Sequence, residues 1–438
     1  MRRPFRAVAA AVAAVAVLCL PACSAAEPAV GRPQDGCVLR IASGADVSGG
    51  VRERVLDAVW NSDRKRPRAC FVVISEVADE QRSEMISAAQ AETGHYDVFN
   101  LDIQSIPEFA AGGHLLPIDT TAHSVTNDFL AQIWSAGTWE RTQYAVPFNT
   151  DVGLLYYRSD IVTAPPAGWP EMLALAQEHR SRLASPALPF AGQFASYEGL
   201  TVNVLEAIWA NGGEVVDSAG RVVIDTERGR KAVRRLVDTV RAGVISGDAR
   251  NGFEAQSLTA FRKKQALFLR HWPSAYQVLS GERPEGGVDF AATPLPWASV
   301  LGGQYLAVSG NTGRPSEAQR LVAALTGPEA AGMLYHCGGF APARVSALYA
   351  RARCGDSVPA AAGSEPRSEV APPETLLRAL TGARVRPPSP YYSRFSQVLR
   401  SEVHGLLTCW SLRPSGCESA EGFTADLAPR LEAALAGR

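Results

Sequence analysis

The sequence of 438 residues lacks the short motifs that mark most catalytic and cofactor sites. It has no GxSxG, HExxH, GxxxxGK or GxGxxG motif and no CxxC pair, and its seven histidines are scattered without metal-ligand spacing. We therefore expect a protein that is not an enzyme and that holds no metal and no cofactor. An exported glycoside hydrolase stays an alternative, because the separation of its paired carboxylates is spatial and cannot be read along the chain.

The chain also lacks an excess of either charge. Lys and Arg together number 43, and Asp and Glu number 44, with no basic stripe. This balance argues against a nucleic-acid partner and, more weakly, against a highly charged ligand. After the first residues no apolar run approaches transmembrane length. About 400 residues remain, which exceeds what one core usually supports, so we expect two lobes in a monomer.

The first residues read as an export signal. A short basic stretch, MRRPFR, precedes the apolar run AVAAAVAAVAVLCL, and the following LPACS resembles a bacterial lipobox. We expect a signal peptide over 1–22, a lipid on Cys23 and a tether over 23–36, which place the protein on the extracytoplasmic face of the membrane. An ordinary cleaved signal with a chance cysteine is the alternative. Arg2 and Arg3 leave open whether export uses the Sec or the twin-Arg route.

Six cysteines follow Cys23, the expected lipidation site, and this even number suggests disulfides in an exported protein. Six cysteines allow 15 connectivities, so the sequence does not fix the pairing, and buried free thiols are the alternative. Two of them begin neighbouring predicted strands and two bracket a short loop, which favours pairing between sequence neighbours. The expected pairs are Cys37 with Cys70, Cys337 with Cys354, and Cys409 with Cys417.

Predicted strands and helices alternate from Val38 onward. The segments VLRIASG, CFVVISEV and YDVFNLDI read as strands, and helical patterns separate them. This order predicts right-handed crossovers and a parallel sheet, whose ligands bind beyond the carboxyl ends of the strands. Asp46 follows the first strand and Asp102 ends the third, so both are candidate ligand contacts. For each of them a helix cap is the alternative.

The segment GQFASYEGL precedes an apolar helical stretch and carries a second cluster of polar groups. Gln193, Tyr197 and Glu198 supply an amide, an aromatic face and a carboxylate, which are groups that hold a sugar. A Glu in the first helical turn could instead complement the helix dipole. The segment by itself does not decide between these interpretations.

Several segments together resemble the extracellular solute-binding proteins of ABC sugar importers, maltose and trehalose binders among them. The similar segments occur in the family's order over nearly the whole mature chain: YDVFNLDIQSIPEFAAGGHLLPID, YAVPFNTDVGLLYYRSDIV, GQFASYEGLTVNVLEAIWANGG, AFRKKQALFLRHWPSAY, GGQYLAVSGNTGRPSEAQRLVAALTGPEAA and ARVRPPSPYYSRFSQVLRSEVHGLL.

The resemblance implies an α/β fold of two lobes joined by a hinge, the type II periplasmic-binding-protein fold, with each lobe built from discontinuous stretches. Lobe one is expected over 37–147 and 299–343, and lobe two over 148–298 and 344–438. The implied function is capture of a sugar between the lobes, a di- or oligosaccharide such as an α-glucoside, and its delivery to the membrane permease subunits of an ABC importer. Binding of another solute, such as a glycerophosphodiester or a peptide, is the alternative.

The resemblance also nominates ligand contacts at matching positions of this sequence. Trp272 and Tyr305 could instead be core aromatics, and Asp151 could cap the hinge. The nominated residues are Asp102, Asn149, Asp151, Tyr197, Glu198, Trp272, Gly302, Gly303, Tyr305, Arg386 and Tyr392.

Overall fold

The computed structural model describes most of the chain beyond the expected leader. The described ranges are 36–45, 49–91, 94–123, 126–245, 249–283, 286–350, 352, 354, 369–412 and 416–438.

Strands and helices alternate in the first part of this range, and the later part is mainly helical. The strands are β1 (Leu39–Ser43), β2 (Ala69–Val73), β3 (Val98–Asp102), β4 (Thr138–Trp139), β5 (Thr142–Gln143), β6 (Ala145–Val152), β7 (Leu154–Arg158), β8 (Phe190–Ala191), β9 (Phe268–His271), β10 (Phe290–Pro294) and β11 (Leu301–Val308). The helices are α1 (Val51–Leu56), α2 (Ala78–Gln90), α3 (Ile106–Ala111), α4 (Ala131–Ser135), α5 (Trp169–Glu178), α6 (Glu198–Ala210), α7 (Glu227–Arg241), α8 (Glu254–Arg262), α9 (Ser274–Glu282), α10 (Pro315–Leu325), α11 (Pro328–Gly338), α12 (Pro373–Thr381), α13 (Tyr392–Leu412) and α14 (Ala420–Leu435).

The first sheet has the strand order β2-β1-β3-β11-β6. Strand β1 pairs in parallel with both β2 and β3, which confirms the parallel pairing predicted from the strand and helix alternation. Strand β11 returns from far along the sequence and pairs antiparallel with β3 and β6. The carboxyl end of β3 therefore lies beside the amino-terminal half of β11, where Asp102 pairs with Gln304.

The second sheet has the order β10-β7-β9-β8 and is covered on both faces. Strand β7 illustrates this burial on both faces, because its successive side chains point to opposite sides of the sheet. Leu154 and Tyr156 belong to the hydrophobic core that fills the first sheet, whereas Leu155 and Tyr157 belong to a second core. Helices α5, α6, α7, α13 and α14 supply most of that second core. An unbroken apolar strand such as LLYY is typical of this double burial.

Within the described ranges, three segments cross between the sheets, and they lie side by side. The first crossing is at Gly153, because β6 stays paired with β11 as far as Val152. The second crossing precedes β11, and the third runs beside it, since the Leu301 amide donates to the Arg384 carbonyl (2.8 Å) and the Arg384 amide donates to the Ser299 carbonyl (2.8 Å). The lobe limits as a whole stay a prediction.

Three disulfides join the six cysteines in the pairs expected from sequence order. Cys37–Cys70 links the start of β1 to β2, Cys337–Cys354 ties the end of α11 to a residue after it, and Cys409–Cys417 links α13 to a residue just before α14. Each bond limits the conformations open to the unfolded chain.

A search of the described residues finds no helix with both the length and the apolar character needed to cross a membrane.

Gly303 in β11 gives the first test of this architecture. Its φ is +130°, and a Cβ there would lie 2.6 Å from the Asn149 carbonyl oxygen. Gly303→Ala should therefore lower the free energy of unfolding by roughly 2 kcal/mol or more. The control is Gly405→Ala in α13, where a Cβ meets nothing within 4 Å. This substitution should raise the free energy of unfolding by up to about 1 kcal/mol. Equal urea midpoints for the two variants would contradict the assigned backbone of β11.

Candidate functional site

A cavity of ≈ 220 Å³ lies between elements of the two sheets. Its walls come from the ends of β1 and β3, from α1 and α2, from α6 and α8, and from β6 and β11 at the crossings. The carboxyl ends of β1 and β3 thus face this cavity, which is where open α/β sheets bind ligands.

Eight of the nominated residues line this single cavity, although they are spread over nearly 300 positions of the sequence. They are Asp102, Asp151, Tyr197, Glu198, Trp272, Gly302, Gly303 and Arg386.

Three nominated residues lie beside the cavity and not in its lining. Asn149 is fully buried, and its amide nitrogen donates to Gln304 Oε1 (2.7 Å) and to Asp151 Oδ2 (3.4 Å). Tyr392 is buried and donates to Glu198 Oε1 (2.6 Å). Tyr305 is a correction, since its ring is fully buried and its hydroxyl donates to the Ile133 carbonyl (2.7 Å). It is the core aromatic that the sequence left as the alternative. Asp46 and Cys23 lie outside the described residues.

Arg386 connects the two sides of the cavity. Its Nη2 donates to Asp102 Oδ1 (3.0 Å) at the end of β3, and its Nη1 donates to Glu198 Oε1 (2.7 Å) at the start of α6. The guanidinium is nearly buried. Arg386 therefore ties the two walls together through one carboxylate from each side. Removal of either carboxylate would leave the buried guanidinium charge without full compensation.

Glu198 is held by four groups and is mostly buried. Besides Arg386 and Tyr392, Ser396 donates to its Oε2 (2.5 Å), and its backbone amide donates to Asp79 Oδ2 (3.1 Å). Burial raises the pKa of the Glu198 carboxyl, and Arg386 with the two hydroxyl donors opposes that rise. The side chain is therefore more than a helix-start acid, and it positions Arg386 at the cavity wall.

A second contact between the walls lies just beyond the cavity. Asp79, in the first turn of α2, accepts from Arg400 Nη1 of α13 (2.5 Å) through its Oδ1, while its Oδ2 accepts from the Glu198 amide. One carboxylate of the first side thus binds two elements of the other side.

Trp272 forms an aromatic wall that is fixed from behind and from its edge. The Arg270 guanidinium lies 3.9 Å from the centroid of the Trp272 ring, and Trp272 Nε1 donates to Glu254 Oε1 (3.4 Å). The other oxygen of Glu254 accepts from the Tyr197 hydroxyl (2.6 Å). The Gly302 backbone lies close to this ring, since a Cβ at Gly302 would be 3.5 Å from the Trp272 ring.

Gln193 does not reach the cavity, in contrast to Tyr197 and Glu198. It is fully buried, its amide nitrogen donates to Ser257 Oγ (2.9 Å), and its Oε1 accepts from Arg270 Nη1 (3.2 Å). Its role is to support Arg270 behind Trp272.

Asp151 has a strongly perturbed carboxyl. Burial, together with the neighbouring carboxylates of Asp102 and Glu254, raises its pKa to about 7, although Arg52 and Arg270 act in the opposite direction. The weak hydrogen bond that Asp151 accepts from the Asn149 amide does not offset this rise of its pKa. Asp151 therefore changes charge near neutral pH.

Sequence reasoning missed several cavity residues, among them Arg52, Glu76, Glu254 and Gln304. It also missed Asn100, for which a signal existed. Asn100 is a polar residue in a buried strand two positions before Asp102, and the strand period places both on one side. Gln304 directly follows the nominated glycine pair. For Arg52 and Glu76 we find no signal in the sequence. No cluster suited to a metal ion occurs among the residues that the structure describes.

The fold matches that of two-lobed binding proteins of known structure. The maltose-bound MalE3 of T. maritima has a TM-score of 0.78 and 24% identity, over 90% of this chain and 98% of that one. A solute-binding protein of Thermotoga lettingae bound with α-D-tagatose scores 0.73 at 19% identity, covering 90% and 99%. The GacH receptor of Streptomyces glaucescens, solved unliganded and with acarbose, also scores 0.73 at 19% identity, covering 91% and 98%. These similarities establish the fold class.

The family follows from the sequence comparison. The model of the bacterial extracellular solute-binding protein family matches residues 72–352, and this chain belongs to that family. A probable ABC transporter-binding protein of Deinococcus radiodurans is 31% identical over 200 residues, 42% of this chain and 47% of that protein. A probable amino-acid ABC transporter periplasmic-binding protein of Sinorhizobium fredii is 25% identical over 295 residues, 62% of this chain and 65% of that protein. The matches thus span from about half to about two thirds of those curated relatives.

Replacement of Glu198 should show how much the tie across the cavity contributes to stability. Glu198→Ala leaves Arg386 buried with one carboxylate fewer, so the free energy of unfolding should fall by about 3 kcal/mol. Urea denaturation measures this change. The matched control is Glu402→Ala in α13, whose partner Arg430 is half exposed and which should cost less than about 1 kcal/mol. Equal losses in the two variants would contradict the assigned role of Glu198.

The pKa of Asp151 predicts a pH dependence with a definite sign. Because the folded-state pKa lies near 7 and the ordinary value is 3.8, the contribution of Asp151 to stability is lost as the pH rises between these values. Asn does not titrate, so Asp151→Asn does not undergo this loss. Its free energy of unfolding relative to that of the wild type should rise by on the order of 2–4 kcal/mol from pH 4 to pH 8.

Urea denaturation at several pH values tests this gain, with Asp238→Asn on the exposed face of α7 as the control. A difference between Asp151→Asn and the wild type that does not change with pH would show that this carboxyl titrates normally.

Proposed function

We propose that this protein is the substrate-binding subunit of an ABC importer, and that it captures a sugar in the cavity and delivers it to the membrane permease subunits. The ligand we propose is a di- or oligosaccharide such as an α-glucoside. In the same proposal the mature protein is a monomer held at the extracytoplasmic face of the membrane by a lipid on Cys23.

The observation that carries the proposal is the mixture of unmatched polar groups beside an aromatic wall. Among the described residues, Arg386 Nε is a buried donor and Asn100 Oδ1 a buried acceptor with no hydrogen-bond partner, and both residues line the cavity. A buried polar group without a partner is costly. A sugar hydroxyl both donates and accepts, so a carbohydrate satisfies both groups at once, while its C–H face packs on Trp272.

The charges of the cavity argue against a phosphate ester as the ligand. Its lining includes five carboxylates and two guanidinium groups. Arg386 is already bound to Asp102 and Glu198, and Arg52 donates to Ser43 Oγ (3.2 Å) and the Gly44 carbonyl (3.3 Å). A phosphate site needs clustered donors facing the ligand, so the glycerophosphodiester alternative is disfavoured.

The comparisons support the transport role and the sugar. Both curated relatives are described as probable binding proteins of ABC transporters. The three structural neighbours were solved with maltose, α-D-tagatose or acarbose. For the lobes we keep the limits 37–147 with 299–343 and 148–298 with 344–438, and we propose that the three crossing segments act as the hinge. Ligand contacts made from both sides would favour the closed state.

Thermal-shift measurements with a panel of mono- and oligosaccharides, neutral and aminated, test the proposal, because a ligand that binds only the folded state raises its melting temperature. Trp272→Ala should weaken binding of the responding sugar by about tenfold or more, since it removes the aromatic wall. The matched control is Trp410→Ala in α13, whose ring packs under Arg241 away from the cavity, and it should keep the wild-type affinity. A panel without any response, or a Trp272→Ala variant of unchanged affinity, would refute the assignment.

A further inference from the structure

Among the described residues, the lining of the cavity holds more carboxylates than guanidinium groups. Its lining holds the carboxylates of Glu76, Asp102, Asp151, Glu198 and Glu254 and the guanidinium groups of Arg52 and Arg386. The chain as a whole is almost neutral, with 43 basic and 44 acidic side chains. The excess is therefore local to the cavity.

The two guanidinium groups offset only part of this excess, although Arg52 lowers the pKa of Asp151. Arg386 is shared between Asp102 and Glu198. Arg52 donates to Ser43 and Gly44 at the end of β1 and lies over the Phe340 ring, 5.1 Å from its centroid.

The carboxylates on the Trp272 side are hydrogen-bonded by neutral donors. Glu254 accepts from the Tyr197 hydroxyl and from Trp272 Nε1. Asp151 accepts from the Asn149 amide at 3.4 Å. A Cβ at Gly302 would lie 3.3 Å from Asp151 Cβ and 3.5 Å from the Trp272 ring, so Asp151 and Trp272 flank the same glycine. Carboxylates beside an aromatic face form the environment that an ammonium group prefers.

A further acceptor in the cavity requires a donor from the ligand. Asn100 is 3% exposed, and its Nδ2 donates to Ser43 Oγ (2.9 Å). Its Oδ1 has no donor within the described part of the chain. This observation is independent of the charge count, and it also indicates a ligand rich in N–H or O–H groups.

From these contacts we infer that the natural ligand carries a positive charge, as an aminated sugar, with its ammonium group seated between Asp151 and Glu254 against Trp272. This inference rests on the proposed function for the sugar part of the ligand, and it adds the charge. Closure over the ligand removes water from several carboxylates. The hydroxyl groups of a neutral sugar offer them hydrogen bonds but no charge, whereas an ammonium group also supplies counter-charge.

The inference predicts a preference that depends on pH. The groups facing Asp151 are Asp102 of β3 and Glu254 of α8, which raise its pKa, and Arg52 of α1 and Arg270 of β9, which lower it. With the resulting pKa of about 7, Asp151 is largely neutral at pH 5.5. Acidification from pH 7 to pH 5.5 should therefore reduce the advantage of a cationic ligand while its amine stays charged.

The experiment compares glucosamine, glucose and spermidine by titration calorimetry with the full chain at pH 7 and pH 5.5. Glucosamine should bind at least about tenfold more tightly than glucose at pH 7, and the ratio should shrink at pH 5.5. Asp151→Asn should reduce the ratio at pH 7 toward one. The control Asp238→Asn, an exposed residue of α7, should leave it unchanged.

The outcomes separate the two proposals. Glucose binding as tightly as glucosamine, or more tightly, would overturn the inference and leave the sugar function standing. Spermidine binding without any sugar binding would support the positive charge and overturn the sugar function. Absence of binding by glucosamine and spermidine alike would overturn the inference, and so would a preference for glucosamine that Asp151→Asn leaves intact.

Discussion

The buried pair of Glu206 and Arg270 is the interaction on which the cavity depends. Two hydrogen bonds of 2.8 Å join the carboxylate of α6 to the guanidinium of β9, and the two side chains are 3% and 1% exposed. The same carboxylate accepts from Ser299 Oγ (3.1 Å) and the Val300 amide (2.9 Å), and Ser299 Oγ accepts from the Gly153 amide (2.6 Å). Two of the three crossings are thus fastened to one carboxylate. Such a pair is weak evidence for stability but fixes geometry, because loss of one partner leaves an uncompensated charge.

This pair also supports the wall of the proposed ligand site. Arg270 supports the Trp272 ring from behind, so the aromatic wall and the crossings share one anchor. At the opposite wall, Arg386 and Asp79 join the two sides directly. The described conformation therefore has its walls already in contact through charged groups. A ligand that enters must add contacts of its own or replace these, which gives a physical basis for coupling between binding and hinge motion.

The parts of the fold that follow from local pattern were predictable. Apolar runs bounded by glycines and polar caps defined β1, β2 and β3 and the helices between them, and the alternation predicted their parallel pairing. The family resemblance placed 299–343 in lobe one, but the pairing of β11 with β3 came only from the structure, since no local pattern encodes a pairing between residues two hundred positions apart. The point at which β6 ends could not be read from the sequence, because its hydrogen bonds to β11 decide it.

The sequence by itself determined the α/β class, favoured the cysteine pairs and nominated eight of the residues that line the cavity, because periodicity, spacing and resemblance are properties of the linear chain. Tertiary structure alone decided that Tyr305 faces the core, that Gln193 supports Arg270, and that Glu198 positions Arg386. It alone also brought Asn100, Asp151 and Glu254 to one cavity. The reason is that burial and charge balance depend on neighbours distant in sequence, and the direction of a pKa shift depends on both.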